Sequence, residues 1–273
     1  MSQRSAVQRW GEALSSLAVP DEILAAAPEP PWGLPSELFR RRAEAALREQ
    51  PTPSHRRSLE ALPQGGVVID VGVGAGAGSL PLASRASLII GVDSSPEMLE
   101  QFVEAGQAAG ARVEEVVGEW PAVAGQVPEG DVVVCHNVLY NVADLAPFVE
   151  ALSSHARRRV VVEISERHPA AWMDDLWERF HGWRRPPAPT AADAEDALRE
   201  LGLDVQTERY KRPPGTGFAR REEAIAMVRR RLCLPPERDE QMAEALGDRL
   251  RVHDGLWFTG GGTWEAVTFW WDR

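Results

Sequence analysis

The sequence predicts an α/β fold in which a mostly parallel sheet carries helices on both faces. Three observations lead to this prediction. The run from Val67 to Leu82 holds an apolar segment, an acid and four glycines at alternate positions. A second apolar run, Leu88–Val92, ends in another acid, Asp93. Further β-rich segments alternate along the chain with stretches that favour helices, which is typical of parallel sheets.

The first apolar run, Gly66–Val71, is expected to be a buried parallel strand. Glycines let the backbone turn sharply after it and let a ligand approach closely. We expect Ser79–Ser84 to form the first turns of a helix. A strand, a glycine-rich turn and a helix N-terminus make up the nucleotide-binding corner of an open α/β sheet. The four glycines are Gly72, Gly74, Gly76 and Gly78.

Two interpretations compete for this corner. Gly72, Gly74 and Ala77 satisfy the dinucleotide pattern G-x-G-x-x-G/A, and Asp93 stands about where the ribose-binding acid of that pattern is expected. A carboxylate at Asp70 would repel a pyrophosphate, however, and would attract a cofactor with a cationic amino acid end. An NAD-dependent oxidoreductase is therefore the less favoured interpretation.

The residues around the turn resemble the class I S-adenosylmethionine-dependent methyltransferases of the small-molecule type. The first motif of that family, D/E-x-G-x-G-x-G, matches Asp70, Gly72, Gly74 and Gly76. The acid that binds both ribose hydroxyls in the family falls on Asp93, and the similarity extends over about residues 59–205. The resemblance implies a Rossmann-like, seven-stranded, mostly parallel sheet with an antiparallel last strand, and S-adenosyl-L-methionine as the cofactor.

The resemblance also implies where the remaining cofactor contacts lie. Groups near the adenine would follow the third strand, Ala111–Val117, and groups near the methionine part would follow the fourth strand, Asp131–Cys135. The fifth strand is predicted at Val160–Ile164. The expected cofactor-binding residues are Asp70, Gly72, Gly74, Gly76, Asp93, Ser94, Glu119, Trp120, His136 and Asn137.

The sequence offers several candidates for a general base. An alcohol or phenol acceptor needs a base, whereas an amine must arrive neutral. His136, Tyr140 and His168 are the predicted catalytic residues, since they follow the fourth and fifth strands. The stretch H-N-V-L-Y after the fourth strand lacks the prolines of the N/D-P-P-Y/F motif, which disfavours methylation of exocyclic amines in DNA. Further candidate bases are Glu163, Glu166 and His181.

The chain is predicted to divide into an N-terminal helical lid, residues 1–58, and a cofactor-binding domain, residues 59–273. Helical insertions are expected at about 167–189 and 212–262. The second insertion would separate the sixth and seventh strands, which normally form a hairpin. Helices are predicted at Val7–Leu17, Pro35–Arg48, His168–Trp183, Thr190–Leu201, Ala219–Leu232 and Glu237–Arg251, and the last two strands at Leu203–Tyr210 and Thr263–Trp271.

The lid and the first insertion are rich in tryptophan. Five of the ten tryptophans of the chain fall there. They allow two interpretations: an aromatic, largely apolar pocket for the acceptor, or packing of the inserted helices on the core. The five residues are Trp10, Trp32, Trp172, Trp177 and Trp183.

Composition restricts the function further. The chain has 273 residues, a net charge of −11 and two cysteines without a metal-ligand pattern. The charge argues against a large phosphate-binding surface, and no apolar run is long enough to span a membrane. We therefore expect a cytoplasmic enzyme that methylates a small molecule and has no DNA or membrane partner. The oligomeric state stays open, with a homodimer as one alternative. RNA or protein methylation and a non-catalytic S-adenosylmethionine-binding protein are the alternatives.

Overall fold

A central seven-stranded sheet organises the protein. The computed structural model describes residues 4–32, 36–212, 215, 217–260 and 264–273. The strand order is β3-β2-β1-β4-β5-β9-β6. The order reverses at β1, with β2 and β3 on one side of it and β4 and β5 on the other. The sheet strands are β1 Gly66–Val71, β2 Ala86–Asp93, β3 Val113–Val117, β4 Gly130–His136, β5 Ala156–Ser165, β6 Gln206–Arg212 and β9 Trp264–Asp272.

The strand directions bring several chain segments to one edge of the sheet. Strands β1 to β5 pair in parallel, and β9 pairs antiparallel with both β5 and β6. The predicted mostly parallel sheet with an antiparallel last strand is confirmed. Since β6 therefore runs parallel to β5, Arg212 at the end of β6 lies at the same edge as the carboxyl ends of β1, β4 and β5. Open α/β sheets bind their ligands at this edge.

The helices lie on both faces of the sheet and at its carboxyl edge. Ten α-helices are present among the described residues. They are α1 Ala6–Ser15, α2 Asp21–Ala25, α3 Ser36–Arg48, α4 Pro53–Ala61, α5 Pro96–Ala108, α6 Leu145–His155, α7 Asp174–His181, α8 Ala191–Glu200, α9 Arg221–Arg231 and α10 Asp239–Leu246.

The prediction of a helix at Ser79–Ser84 is wrong. A single 3-10 turn, Leu80–Leu82, follows the glycine turn, and β2 begins at Ala86. The turn is closed by a hydrogen bond from the Arg85 amide to the Leu82 carbonyl, 3.0 Å, so the chain turns back toward the sheet at once. The space beside this turn is covered by α3 and α4, both of which contact it.

The N-terminal helices pack on opposite faces of the sheet. Helix α1 contacts α6 and α8, where Trp10 is fully buried and its indole N–H donates to the Val142 carbonyl at 2.8 Å. Helix α4 packs instead on β4, β5 and β9. The Glu200 carboxylate accepts hydrogen bonds from the first backbone amides of α1 and so completes its N-terminus. The boundary at residue 58 and the function of this region as a lid stay predictions.

The segments that follow β5 and β6 form a second, smaller helical core. Buried apolar side chains of α7, α9 and α10 meet there, and α2 packs against them. Between β6 and β9 the chain also forms a two-stranded ribbon, β7 Arg251–His253 and β8 Leu256–Phe258. This helical cluster begins at the carboxyl edge of the sheet, because both segments leave it there. No helix among the described residues is long and apolar enough to cross a membrane.

Candidate cofactor and active site

The turn after β1 requires glycine for steric reasons. Gly72, Gly74 and Gly76 have positive φ angles of 73°, 52° and 89°. A Cβ atom on Gly72 would lie 2.3 Å from Val138 Cγ2, and one on Gly76 would lie 2.7 Å from Leu80. Both the backbone conformation and the space therefore exclude a side chain at this turn.

Asp93 at the end of β2 is held against the glycine turn. One carboxylate oxygen accepts a hydrogen bond from the Gly74 amide and the other accepts one from the Ser95 amide, each at 2.9 Å. The side chain is only half-buried, and the adjacent Ser94 is exposed. The carboxylate is thus fixed in direction while part of its surface stays accessible.

Asp70 and His136 meet beneath the turn with unused polar atoms. Asp70 Oδ2 and His136 Nε2 are buried without hydrogen-bond partners among the described residues. A Cβ atom on Gly78 would lie 3.0 Å from His136 Nδ1 and 3.3 Å from Asp70 Oδ2, so the three residues adjoin. Burial raises the pKa of Asp70 to about 7. Buried polar atoms without hydrogen-bond partners destabilise a fold unless a ligand supplies the partners. A cationic ammonium group would be a suitable partner for the Asp70 carboxylate.

His55 of α4 is a site residue that the sequence analysis missed. Its ring lies 5.9 Å from the His136 ring, and its Nε2 lies 3.1 Å from the Ala77 carbonyl in the glycine-rich segment. Burial lowers the pKa of His55 to about 4 and also lowers the pKa of His136. Both rings are therefore neutral at neutral pH. The sequence does carry a signal for α4 itself. Thr52 is an N-cap residue followed by Pro53 at the first helical position, which is typical of a helix start.

Glu163 on β5 is fully buried and engaged by side chains from two other elements. Ser54 and Arg212 contact its carboxylate, and the Tyr210 hydroxyl donates to it at 2.6 Å. These donors leave Glu163 little capacity to take a proton from an acceptor. Its position fixes the end of β6 against α4 and β5.

Tyr140 and His168 form a separate group on the other side of β4 and β5. The Tyr140 hydroxyl donates to the Ser165 carbonyl at 2.9 Å, and its ring stacks on Trp10 with 5.6 Å between centroids. The His168 ring lies edge-on to Tyr140 at 5.1 Å. Burial raises the pKa of Tyr140 and lowers that of His168 to about 4. Tyr140 therefore keeps its proton, and its predicted catalytic role remains a prediction.

The two remaining candidate bases have structural partners. Glu166 pairs with Arg209 at 3.2 Å. His181 Nε2 lies 2.6 Å from the Leu232 carbonyl, and its ring packs on Trp177 within the helical cluster. Neither arrangement brings these side chains to His136.

An open cavity of about 490 Å³ lies beside Trp120, one of the residues predicted to bind the adenine. Trp120 lines it, and its indole N–H donates to the Phe148 carbonyl at 3.3 Å. Glu119 is exposed beside it. Asn137 adopts a left-handed backbone with φ 61°, and its amide donates to the Glu163 carbonyl at 2.6 Å.

The tryptophans of the insertions have different environments. Trp177 is 3% exposed and meets Trp183 edge-on at 5.3 Å, so it packs the helical cluster. Trp172 is half-buried and lies against Gly260, where a Cβ atom would come within 2.9 Å of its ring. Packing is therefore the observed role of Trp177, while Trp172 keeps part of its surface accessible. Among the described residues no group of His, Cys, Asp and Glu side chains could hold a metal ion.

Comparison with known proteins shows a methyltransferase domain in part of the chain and a known fold. Residues 68–159 match the family model of a methyltransferase domain. An uncharacterised protein of Haemophilus influenzae is 24% identical over 208 residues, which cover 75% of each chain. This match spans much more of the chain than the domain itself does.

Solved structures with the same fold include three proteins of 15–17% identity. The YcgJ protein of Bacillus subtilis aligns with a TM-score of 0.52 over 80% of this chain and 99% of its own. A cyclopropane-fatty-acyl-phospholipid synthase-like protein of Lactobacillus casei gives 0.53, over 93% and 98%. Magnesium protoporphyrin IX methyltransferase of Synechocystis, solved with bound S-adenosylhomocysteine, gives 0.51, over 87% and 84%.

Proposed function

We propose that this chain is a class I S-adenosylmethionine-dependent methyltransferase that methylates a small, partly apolar acceptor at oxygen, nitrogen or carbon. The observation that supports a small acceptor is the placement of the inserted segments. The helical cluster leaves the sheet at the ends of β5 and β6, and α4 brings Ser54 and His55 to the same edge. In the proposed site these elements would surround the place where an acceptor approaches the methyl group.

The residues around the glycine turn fit the cofactor. The open side of the turn would admit it, Asp93 would bind the ribose hydroxyls, and the Asp70 carboxylate would attract the ammonium group of the methionine part. The unpartnered oxygen of Asp70 supports this assignment. When bound, the cofactor supplies a methyl group that is already activated by the positive sulfur.

The protein would contribute mainly position and the exclusion of water. Holding two reactants at attack distance in the right direction removes a large part of the barrier of a transfer reaction. We assign His136 to the acceptor, because its Nε2 is buried, unpartnered and neutral. It would accept a hydrogen bond from an O–H or N–H of the acceptor and so direct the lone pair of that atom. Its lowered pKa makes it a weak base, which favours acceptors that lose a proton easily or arrive as neutral amines.

The test is methyl transfer from labelled S-adenosylmethionine to three substrate pools: small aromatic compounds, total RNA and total protein. We expect product in the first pool, and we expect His136→Gln to reduce product formation far more than it reduces cofactor affinity. Product only on RNA, with strong inhibition by salt, would replace the small-molecule assignment. Tight cofactor binding without product in any pool would favour a non-catalytic binding protein.

A further inference from the structure

His55 connects helix α4 to the glycine-rich turn through backbone groups of both elements. Its ring is 4% exposed and stands in the first turn of α4. The Nδ1 atom accepts a hydrogen bond from the Thr52 amide at 3.2 Å, and the Nε2 atom lies 3.1 Å from the Ala77 carbonyl oxygen. The ring therefore joins the start of α4 to the turn that follows β1.

These two contacts define the protonation state of the His55 ring. A backbone amide can only donate, so Nδ1 must offer a lone pair to the Thr52 amide. The proton of the neutral ring is then on Nε2, which donates it to the Ala77 carbonyl. A doubly protonated ring would lose the hydrogen bond from Thr52, and the other neutral tautomer would lose both hydrogen bonds.

The start of α4 is itself fixed to the sheet. Ser54 donates a hydrogen bond to the buried Glu163 of β5, which also accepts one from the Tyr210 hydroxyl at 2.6 Å. The hydroxyl groups of Thr52 and Ser54 lie 2.9 Å apart, and α4 packs on β4, β5 and β9. The position of His55 is therefore set by the sheet and not by the turn that it contacts.

The turn depends on hydrogen bonds from outside itself, because glycines stand on both sides of Ala77. Gly76 has a φ angle of 89°, and glycine has more backbone freedom to lose on folding than any other residue. The Asp93 carboxylate accepts from the Gly74 amide at 2.9 Å and so holds the first part of the turn. His55 holds the second part through the Ala77 carbonyl.

The second part of the turn adjoins the side chains of Asp70 and His136. A Cβ atom on Gly78 would lie 3.0 Å from His136 Nδ1 and 3.3 Å from Asp70 Oδ2. The ring of His55 lies 5.9 Å from the ring of His136. A shift of the Ala77 carbonyl would therefore move the backbone next to the carboxylate that is assigned to the ammonium group of the cofactor.

We propose that His55 is a positioning residue, which fixes the Ala77 carbonyl and thereby holds the turn in the conformation that binds the amino acid part of the cofactor. This inference rests on the proposed function, since it assigns a role in the same cofactor site. Backbone groups occupy both nitrogens of the ring. His55 therefore acts through the turn and takes no proton from an acceptor.

Two substitutions separate the two hydrogen bonds of His55. In His55→Asn the side-chain oxygen takes the place of Nδ1 and can accept from the Thr52 amide, but no group reaches the Ala77 carbonyl. In His55→Gln the side-chain nitrogen takes the place of Nε2 and can donate to that carbonyl. Ser58→Ala is the matched control, because the Ser58 hydroxyl donates to the Ser54 carbonyl at 2.8 Å within the same helix.

The first measurement titrates the full chain with S-adenosylhomocysteine and with 5′-methylthioadenosine, which lacks the amino acid part. We expect His55→Asn to weaken S-adenosylhomocysteine binding about five- to tenfold, which corresponds to one lost hydrogen bond. It should change 5′-methylthioadenosine binding by less than about twofold. His55→Gln and Ser58→Ala should bind both compounds as the wild type does.

The second measurement is amide hydrogen exchange of the ligand-free protein. The Gly76 amide donates to the Val73 carbonyl at 2.8 Å, and the Ser79 amide donates to the Gly76 carbonyl at 3.3 Å. Exchange at these two amides should be about five- to tenfold faster in His55→Asn than in the wild type, because the turn opens more often. His55→Gln and Ser58→Ala should exchange at the wild-type rate.

Equal S-adenosylhomocysteine affinities of His55→Asn and His55→Gln would overturn the proposal, and so would an equally large loss in Ser58→Ala. Equal weakening of both ligands by His55→Asn would overturn the assignment to the amino acid part. If the wild type bound neither ligand, the proposed function would fail. Faster exchange in His55→Asn alone would then still support His55 as the residue that fixes the turn, whereas equal exchange in all variants would refute it.

Discussion

The Gly74 amide donates a 2.9 Å hydrogen bond to the Asp93 carboxylate, so the acid at the end of β2 is tied to the turn at the end of β1. The two parts of the proposed cofactor site are therefore fixed to each other before any ligand arrives. Preorganisation of this kind lowers the cost of binding, because less freedom is lost when the ligand is bound.

Replacing Asp93 should weaken cofactor binding strongly. Asp93→Ala would leave two ribose hydroxyls and the Gly74 amide without their acceptor, at about 1.5–3 kcal/mol. We expect S-adenosylhomocysteine affinity to fall by one to two orders of magnitude in a calorimetric titration. Asp196→Ala, an exposed acid on α8, serves as the control and should bind normally. Equal affinity of the Asp93 variant and the wild type would contradict the assignment.

Gly72→Ala should destabilise the glycine turn more than a comparable change elsewhere. Gly72 and Gly110 have similar φ angles, 73° and 68°, so alanine carries a similar backbone cost of about 1 kcal/mol at both. Only at Gly72 does the added Cβ meet a neighbour, Val138, within 4 Å. Urea unfolding should show a larger loss for Gly72→Ala than for Gly110→Ala. Equal losses would mean that the turn relaxes freely.

Trp10 should matter for the stability of the whole fold. It is fully buried, stacks on Tyr140 and donates to the Val142 carbonyl. Trp10→Ala should reduce the free energy of unfolding by about 3–5 kcal/mol. Trp32→Ala, at a tryptophan that is 57% exposed, should change it by less than about 0.5 kcal/mol. A small effect at Trp10 would mean that α1 is a mobile cover rather than part of the core.

The protein should lose stability as the pH is lowered from about 6.5 toward 4. Burial depresses the pKa of His55 and His168 to about 4, and that of His136 as well, so each takes up a proton on unfolding in this range. Proton uptake by the unfolded chain favours unfolding at lower pH. His55→Gln should reduce the slope of unfolding free energy against pH, whereas His253→Gln, at an exposed site, should not. An unchanged slope in His55→Gln would refute its buried neutral state.

Asp70 should change the pH dependence of stability in the direction opposite to that of the buried histidines. Its pKa rises from 3.8 to about 7 on folding, so the folded state holds a proton that the unfolded chain releases between those values. This contribution is present below about pH 4 and is lost as the pH rises to about 7. Asp70→Asn should therefore raise the stability of the ligand-free protein at pH 8 and weaken S-adenosylhomocysteine binding. A variant that is less stable than the wild type at pH 8 would contradict this account.

The sequence allowed the sheet to be predicted more completely than the site. Short buried strands such as β1 and β4 are recognisable because both faces are apolar, and the capping box at Thr190 marked α8 within one residue. His55 could not be assigned, because α4 is polar in sequence and its burial depends on contacts with β4, β5 and β9.

Local patterns do not encode tertiary placement of this kind. The helix expected after the glycine turn failed for a related reason, since α3 and α4 cover the turn in its place.

Parallel calorimetric titration of the wild type with S-adenosylmethionine, S-adenosylhomocysteine and NADH tests the central claim most directly. The proposed roles of Asp70 and Asp93 predict micromolar binding of the first two compounds and none of NADH. Binding of NADH alone would mean that the buried carboxylate of Asp70 does not select against a pyrophosphate. That result would contradict the assignment of this site to S-adenosylmethionine.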